Sequence, residues 1–178
     1  MYLDQDAIDH TSLYQGDILT DVHLLGVITI SSITYITDNR SAKTGWIIPQ
    51  KPDFGSAMVL SHSCEIDRAN TMKVTSIILA PLRDINKITK QEKISEIVAS
   101  NSIGEETSFS YLKYFYLPGS VEIGHPDGAV VDFSKCFSVR NKSYDLLLDK
   151  KAAQLSEESS TSMARKLALY FYRIGTAA

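Results

Sequence analysis

Residues 57–68 read AMVLSHSCEIDR. An apolar run gives way to two serines, a histidine, a cysteine, two acids and an arginine. If the strand implied by MVLS continues, Ser61, Ser63 and Glu65 point one way and His62 and Cys64 the other. An imidazole next to a thiol is the minimum for an activated thiolate, because the ring takes the proton. Cys64, His62 and Glu65 are therefore the candidate catalytic residues. Glu65 or Asp67 can orient the ring only if the strand bends. The plainer alternative is a buried cysteine at a strand end, with His62 satisfied by a nearby carboxylate. Buried cysteine is common and usually inert.

Two other chemistries draw on the same stretch. His62 and Cys64 could supply two zinc ligands, with Cys136 a third and His10, His23 or His125 a fourth. The chain lacks the CxxC or HxxxH spacing of a structural zinc site, so no metal or other cofactor is expected. Glu65 and Asp67 could instead form an acidic pair with Arg68 beside it, joined in space by Asp17, Asp53 or Asp132. The alternative there is an exposed turn with an ordinary surface ion pair. Tyr111, Lys113, Tyr114 and Tyr116 offer stacking groups with a cation between them, a pattern that suits single-stranded nucleic acid. Aromatic strands also pack on cores without any ligand.

The elements that must position these groups follow from pattern. YQGDIL (14–19) reads as a turn at Gly16–Asp17 entering a strand. Residues 22–36 form one long strand or two hinged near Ser31–Ser32. Residues 37–45 form a loop, and 46–55 a strand interrupted by Pro49 and Pro52. SAMVLS (56–61) and KVTSIILAPL (73–82) are short buried strands, the second ended by Pro81. In 84–101, Ile85, Ile88, Ile94, Ile97 and Val98 line one helical face, with Asp84 as cap. Strands are expected at 107–119 and 129–133, the latter after a Pro-Asp-Gly turn. Residues 135–155 are ambiguous. A last helix starts at Ser156, lines Met163, Leu167, Tyr170, Phe171 and Ile174 on one face, and ends at Gly175.

The 178 residues suit one domain with a core. A core of about 14–133, with a helical insertion at 84–101, would be followed by a helical segment at 134–175. Net charge is −3, which disfavours general polyanion binding. No apolar run approaches the roughly 18 residues of a membrane span, so no membrane partner is expected. MYLDQDAIDH has neither a basic start nor an apolar stretch. A cytoplasmic chain with two reduced thiols, Cys64 and Cys136, is the expectation. Strands first and a helix–strand mixture afterwards give an α+β class, a small curled antiparallel barrel with helices packed on it.

Three pieces, GDIL (16–19), MVLS (58–61) with IDRAN (66–70), and KVTSIILAPLRD (73–84), together resemble the MazF/PemK toxin family over about residues 14–85. The resemblance implies a curled five- to six-stranded barrel, often dimeric, that cleaves single-stranded RNA without a metal and is held by a protein partner. Two family residues are missing here. The arginine before the central strand falls among Gly55, Ser56 and Ala57, and the threonine after the proline falls at Leu82–Arg83. Arg83 would then serve as the phosphate-binding cation, with Arg40 or Lys51 swinging in, and Asp67 and Arg68 beside it. Ser61, Cys64, Glu65 and Ile66 are also similar to a segment of uncharacterised bacterial and phage-associated proteins that end in a comparable helix. The functions in view are a divergent toxin-type barrel acting on RNA or a protein partner in a toxin–antitoxin or phage-defence setting, a non-catalytic interaction module, and a cysteine-dependent enzyme.

Overall fold

The computed structural model describes residues 1–23, 54–67, 75–88, 93–101 and 111–176, with side chains to 172 except at 23 and 54. Arg40, Lys51, Asp53, Arg68 and the expected elements between 24 and 53 lie outside the described residues. Seven strands are described: β1 Ile18–His23, β2 Phe54–Val59, β3 Ser76–Asp84, β4 Tyr114–Leu117, β5 Ala129–Asp132, β6 Phe137–Arg140 and β7 Lys151–Ala153. The helices are α1 Ser63–Ile66, α2 Ile85–Ile88, α3 Ile94–Ala99, α4 Tyr144–Leu148 and α5 Glu157–Thr176. No described helix is long and apolar enough to cross a membrane.

All strand pairs are antiparallel, in the order β4-β5-β3-β2-β1-β7, with β6 also on β3. The class is α+β, as expected. Among the described residues the sheet is open, with β4 and β7 at its ends, and no pairing closes it into a barrel. β1 follows the expected turn, where Gly16 takes φ +93. A Cβ there would sit 3.1 Å from Leu155 Cδ1, so glycine suits the position twice over. The register of β1 slips between Leu19 and Val22. Asp21 takes φ +52 within this bulge and is held by Lys150, 2.7 Å from its carboxylate.

β3 does not stop at Pro81 but runs to Asp84. Ile78 C=O accepts from Leu60 N–H, so even-numbered residues of β3 aim their backbone at β2. Ile85 N–H bonds Gly128 O on the opposite edge, in keeping with that alternation. Pro81 nitrogen therefore faces the opposite edge. There β6 pairs with residues 76–79 and β5 with 82–84, and Pro81 falls in the gap between the two partners. A missing N–H costs no ladder bond at that place.

One sheet face carries Ile18, Met58, Ala80, Leu82, Phe115 and Val131, covered by Met163, Leu167 and Tyr170 of α5. The other carries Leu19, Ala57, Val59, Ile77 and Leu79, covered by Ile66 of α1, Tyr144 and Leu147 of α4, and Leu13. Ile85, Ile97, Tyr114 and Val130 seat α2 and α3 against β4 and β5. The helix expected over 84–101 is described as these two short helices, with Asp84 accepting from Asn86 N–H at the start of the first. Val98 is exposed rather than lining the core. Tyr111 and Lys113 precede β4 in a turn, so the aromatic strand is shorter than expected. The segment 134–175 is not helical throughout, because it supplies β6 and β7 to the sheet.

α5 begins after Ser156, whose Oγ accepts from Ser159 N–H at 3.4 Å, and Glu157 and Glu158 lie in its first turn. It continues through Gly175 to Thr176. Met163, Leu167 and Tyr170 face the core as expected, whereas Phe171 faces outward; Lys166 is buried. Lys166 is three residues after Met163 and so falls within the buried stripe.

Candidate active site

β2 ends in Val59, and the next residues leave the sheet. Leu60 N–H still bonds Ile78 O at 2.8 Å, and Ser61 Oγ accepts Ile78 N–H at 2.9 Å. His62 is then extended, at φ −64 and ψ 140, and caps α1. Its carbonyl accepts from Glu65 N–H and Ile66 N–H, at 2.9 and 3.3 Å. A four-residue helix has little stability of its own. Buried Ile66 anchors it, and burying such a side chain is worth about 1.5–3 kcal/mol. The strand phase expected across 61–65 is therefore replaced by a cap and a helical turn.

His62 and Cys64 nevertheless meet, with Nδ1 and Sγ 2.9 Å apart, and both residues are exposed. Cys64 N–H also points at Nδ1, at 3.3 Å. A backbone N–H can only donate, so Nδ1 must be the acceptor nitrogen. The neutral ring then carries its proton on Nε2, a tautomer assigned from the bonding pattern, and the thiol donates to Nδ1. The ring is thus poised to take the thiol proton. Glu65 is exposed at α1 and does not hold the ring, and among the described residues no acid bonds Nε2. Asp67 closes α1, its N–H bonding Ser63 O at 2.9 Å. Arg68 lies outside the described residues.

The loop before β1 braces the segment from the other side. Gln15 N–H bonds Ser63 Oγ at 3.0 Å, and Gln15 Nε2 bonds Leu60 O at 2.8 Å. Gly16 N–H bonds Val59 O and Ser160 Oγ bonds Gln15 O, tying the loop to β2 and α5.

Arg83 does not join this group. The Ser61 contact is at Ile78, and Arg83 lies five residues further along β3, roughly 16 Å at the rise of an extended strand. There it bonds the buried carboxylate of Asp132 at 3.0 Å, which also accepts from Ser134 N–H at 3.1 Å. Cys136 is half-buried and donates to Phe133 O at 3.0 Å. Burial first, and Asp132 second, push its thiol up to about 11. The two cysteines are not joined in a disulfide. His10 is exposed in the N-terminal segment, and His125 lies before β5 with its pKa lowered by burial. Among the described residues no three His, Cys, Asp or Glu side chains converge as metal ligands.

Two buried lysines, Lys151 and Lys166, were not singled out by the sequence, and Asp17 was considered only as a member of an acidic cluster. Asp17 and Lys151 pair at 2.7 Å with both side chains fully buried. Lys151 also donates to Asp9 O and Ser12 O, at 2.8 and 3.1 Å. Burial raises the Asp17 carboxyl to about 6 even though Lys151 pulls the other way. Lys166 Nζ donates to Ser100 Oγ at 2.7 Å inside the core, and burial lowers its pKa to about 7. Only the helical spacing from Met163 hinted at Lys166, and nothing local marks Lys151.

Comparison of the chain with protein-family models and with curated proteins finds no match.

Proposed function

We propose that the protein works through a surface thiol site in which Cys64 is the nucleophile and His62 Nδ1 takes its proton. The 2.9 Å contact between an exposed thiol and the acceptor nitrogen of an imidazole carries this reading. Sγ attacks the carbonyl of an ester or amide as its proton passes to His62 Nδ1. The tetrahedral adduct then collapses, the bond to the leaving oxygen or nitrogen breaks, that atom takes the proton from the ring, and the acyl group stays on Cys64 as a thioester. Cys136, half-buried and with its thiol pushed up to about 11, is an internal reference. Iodoacetamide at pH 7 should label Cys64 faster than an unassisted thiol and leave Cys136 nearly untouched. His62→Ala should slow Cys64 labelling about tenfold, less than the roughly 10²–10⁴-fold that a positioned base contributes to a complete enzymatic step. Labelling of Cys64 at the rate of an unassisted thiol, unchanged by His62→Ala, would sink the reading.

A second reading is a divergent MazF/PemK-type curled barrel acting on single-stranded RNA or a protein partner, as a homodimer, in a toxin–antitoxin or phage-defence setting. It is supported by the chain order of the Gly16 turn, β1, β2 and β3, each strand antiparallel to the next. Arg83 would be its phosphate-binding cation, though one of its nitrogens is already bonded to Asp132. In this reading Arg83→Ala weakens binding of a labelled single-stranded RNA, and wild-type protein that binds none removes the RNA form.

A further inference from the structure

The contact between His62 and Cys64 depends on where the chain leaves the sheet. Ile78 aims both backbone groups at β2, and its C=O takes Leu60 N–H at 2.8 Å and Ser61 N–H at 3.4 Å. Had β2 run on, its backbone would have supplied the acceptor for Ile78 N–H. Instead Ser61 Oγ supplies it at 2.9 Å, from a side chain only 6% exposed residue-wide. The hydroxyl stands in for a ladder carbonyl, so the strand can end without orphaning a buried donor. The chain is then released at His62. On an extended strand, residues two apart are about 6.6 Å apart along the axis. The turn into α1 folds Cys64 N–H back onto Nδ1 at 3.3 Å and brings Sγ to 2.9 Å from the same atom.

We propose that Ser61 is the positioning residue of the thiol site: its buried hydroxyl holds the end of β2 on Ile78 and thereby sets His62 against Cys64. The inference rests on the reading of Cys64 and His62 as the working pair. Ser61 touches neither the thiol nor the ring in this role, so it acts through the path of the chain.

The test is the iodoacetamide labelling rate of Cys64 in the full chain, followed as a pH–rate profile. Ser61→Ala should slow labelling at pH 7 about threefold or more and change the profile, since thiol reactivity depends on its immediate surroundings. Ser61→Thr keeps the oxygen and should recover the rate. Ser56 is a matched control at the other end of β2, where its buried hydroxyl donates to Ile123 O at 2.7 Å. Ser56→Ala loses a comparable bond and should leave the labelling rate alone. Ser61→Ala at the parental rate, Ser61→Thr as slow as Ser61→Ala, or Ser56→Ala equally slow would each overturn the positioning role. His62→Ala separates the two levels. If it is slow while Ser61→Ala is not, only the positioning role falls. If it labels at the parental rate, the thiol–imidazole reading itself fails.

Discussion

Lys166 shows how a single residue can act against its type. Its ammonium lies in the core, donating to Ser100 Oγ at 2.7 Å and more loosely to Asn101 Oδ1 at 3.5 Å. Asn101 in turn accepts from Tyr116 N–H and donates to Tyr116 O, so the lysine completes a polar link from α5 to the outer edge of β4. Burial lowers its pKa from 10.5 to about 7. Between those values the unfolded chain holds the proton and the folded chain does not. Stability from this group is therefore full above 10.5 and is lost as pH falls toward 7. Stability should rise with pH from 7 to about 9, by up to about 1.4 kcal/mol per unit from this group alone. Lys166→Met should flatten that rise. Urea unfolding at pH 7, 8 and 9 measures it, and equal slopes in the two proteins would refute the assignment.

At the scale of elements, the hairpin that joins β4 to β5 is closed by backbone contact. Ser120 and His125 exchange N–H to C=O bonds at 3.0 and 3.2 Å, and Gly128 enters β5 at φ +104. A Cβ on Gly119 would lie 1.9 Å from Pro126 O, a clash with main chain that no rotamer relieves. Gly119→Ala should cost about 1–3 kcal/mol, as overpacking does elsewhere. Thermal unfolding reads the loss, and an unchanged midpoint would count against the close approach. The Pro-Asp-Gly signal at 126–128 was legible, because turn residues act through their own φ values. The approach of Gly119 to Pro126 was not, because it depends on how two strands come together.

Across the whole molecule, the Asp17–Lys151 pair ties the N-terminal stretch to β7, far along the chain. Lys151 sits on β7, Asp17 ends the turn before β1, and Asp9 and Ser12 supply carbonyls from the N-terminal segment. Asp17 Oδ2 also accepts from Tyr14 N–H at 2.7 Å, while the buried Oδ1 has no hydrogen-bond partner among the described residues. An ion pair in such a place contributes less by attraction than its loss would cost, since one charge would then stay buried alone. Asp17→Asn should destabilise the protein by about 3–5 kcal/mol. Adding Lys151→Met should recover part of that, and denaturant unfolding of both variants gives the coupling. Two losses that simply add would show the pair to be uncoupled.

The sequence by itself determined what depends on neighbours a few residues apart. The Gly16 turn into β1, the Asp84 and Ser156 caps, the turn before β5 and the apolar stripe of α5 all follow from local dihedral preference and helical spacing. It also marked His62 and Cys64 as a pair. Tertiary structure alone decided how they meet: Ser61 bonds Ile78, 17 residues away, so a cap replaces the strand whose alternation had suggested the pairing. The same holds for Pro81, tolerated because β6 and β5 leave a gap at its nitrogen. Lys151 follows too, buried because Asp17 reaches it from the far end of the chain. Each of these depends on which segments become neighbours in space, and no local spacing records that choice.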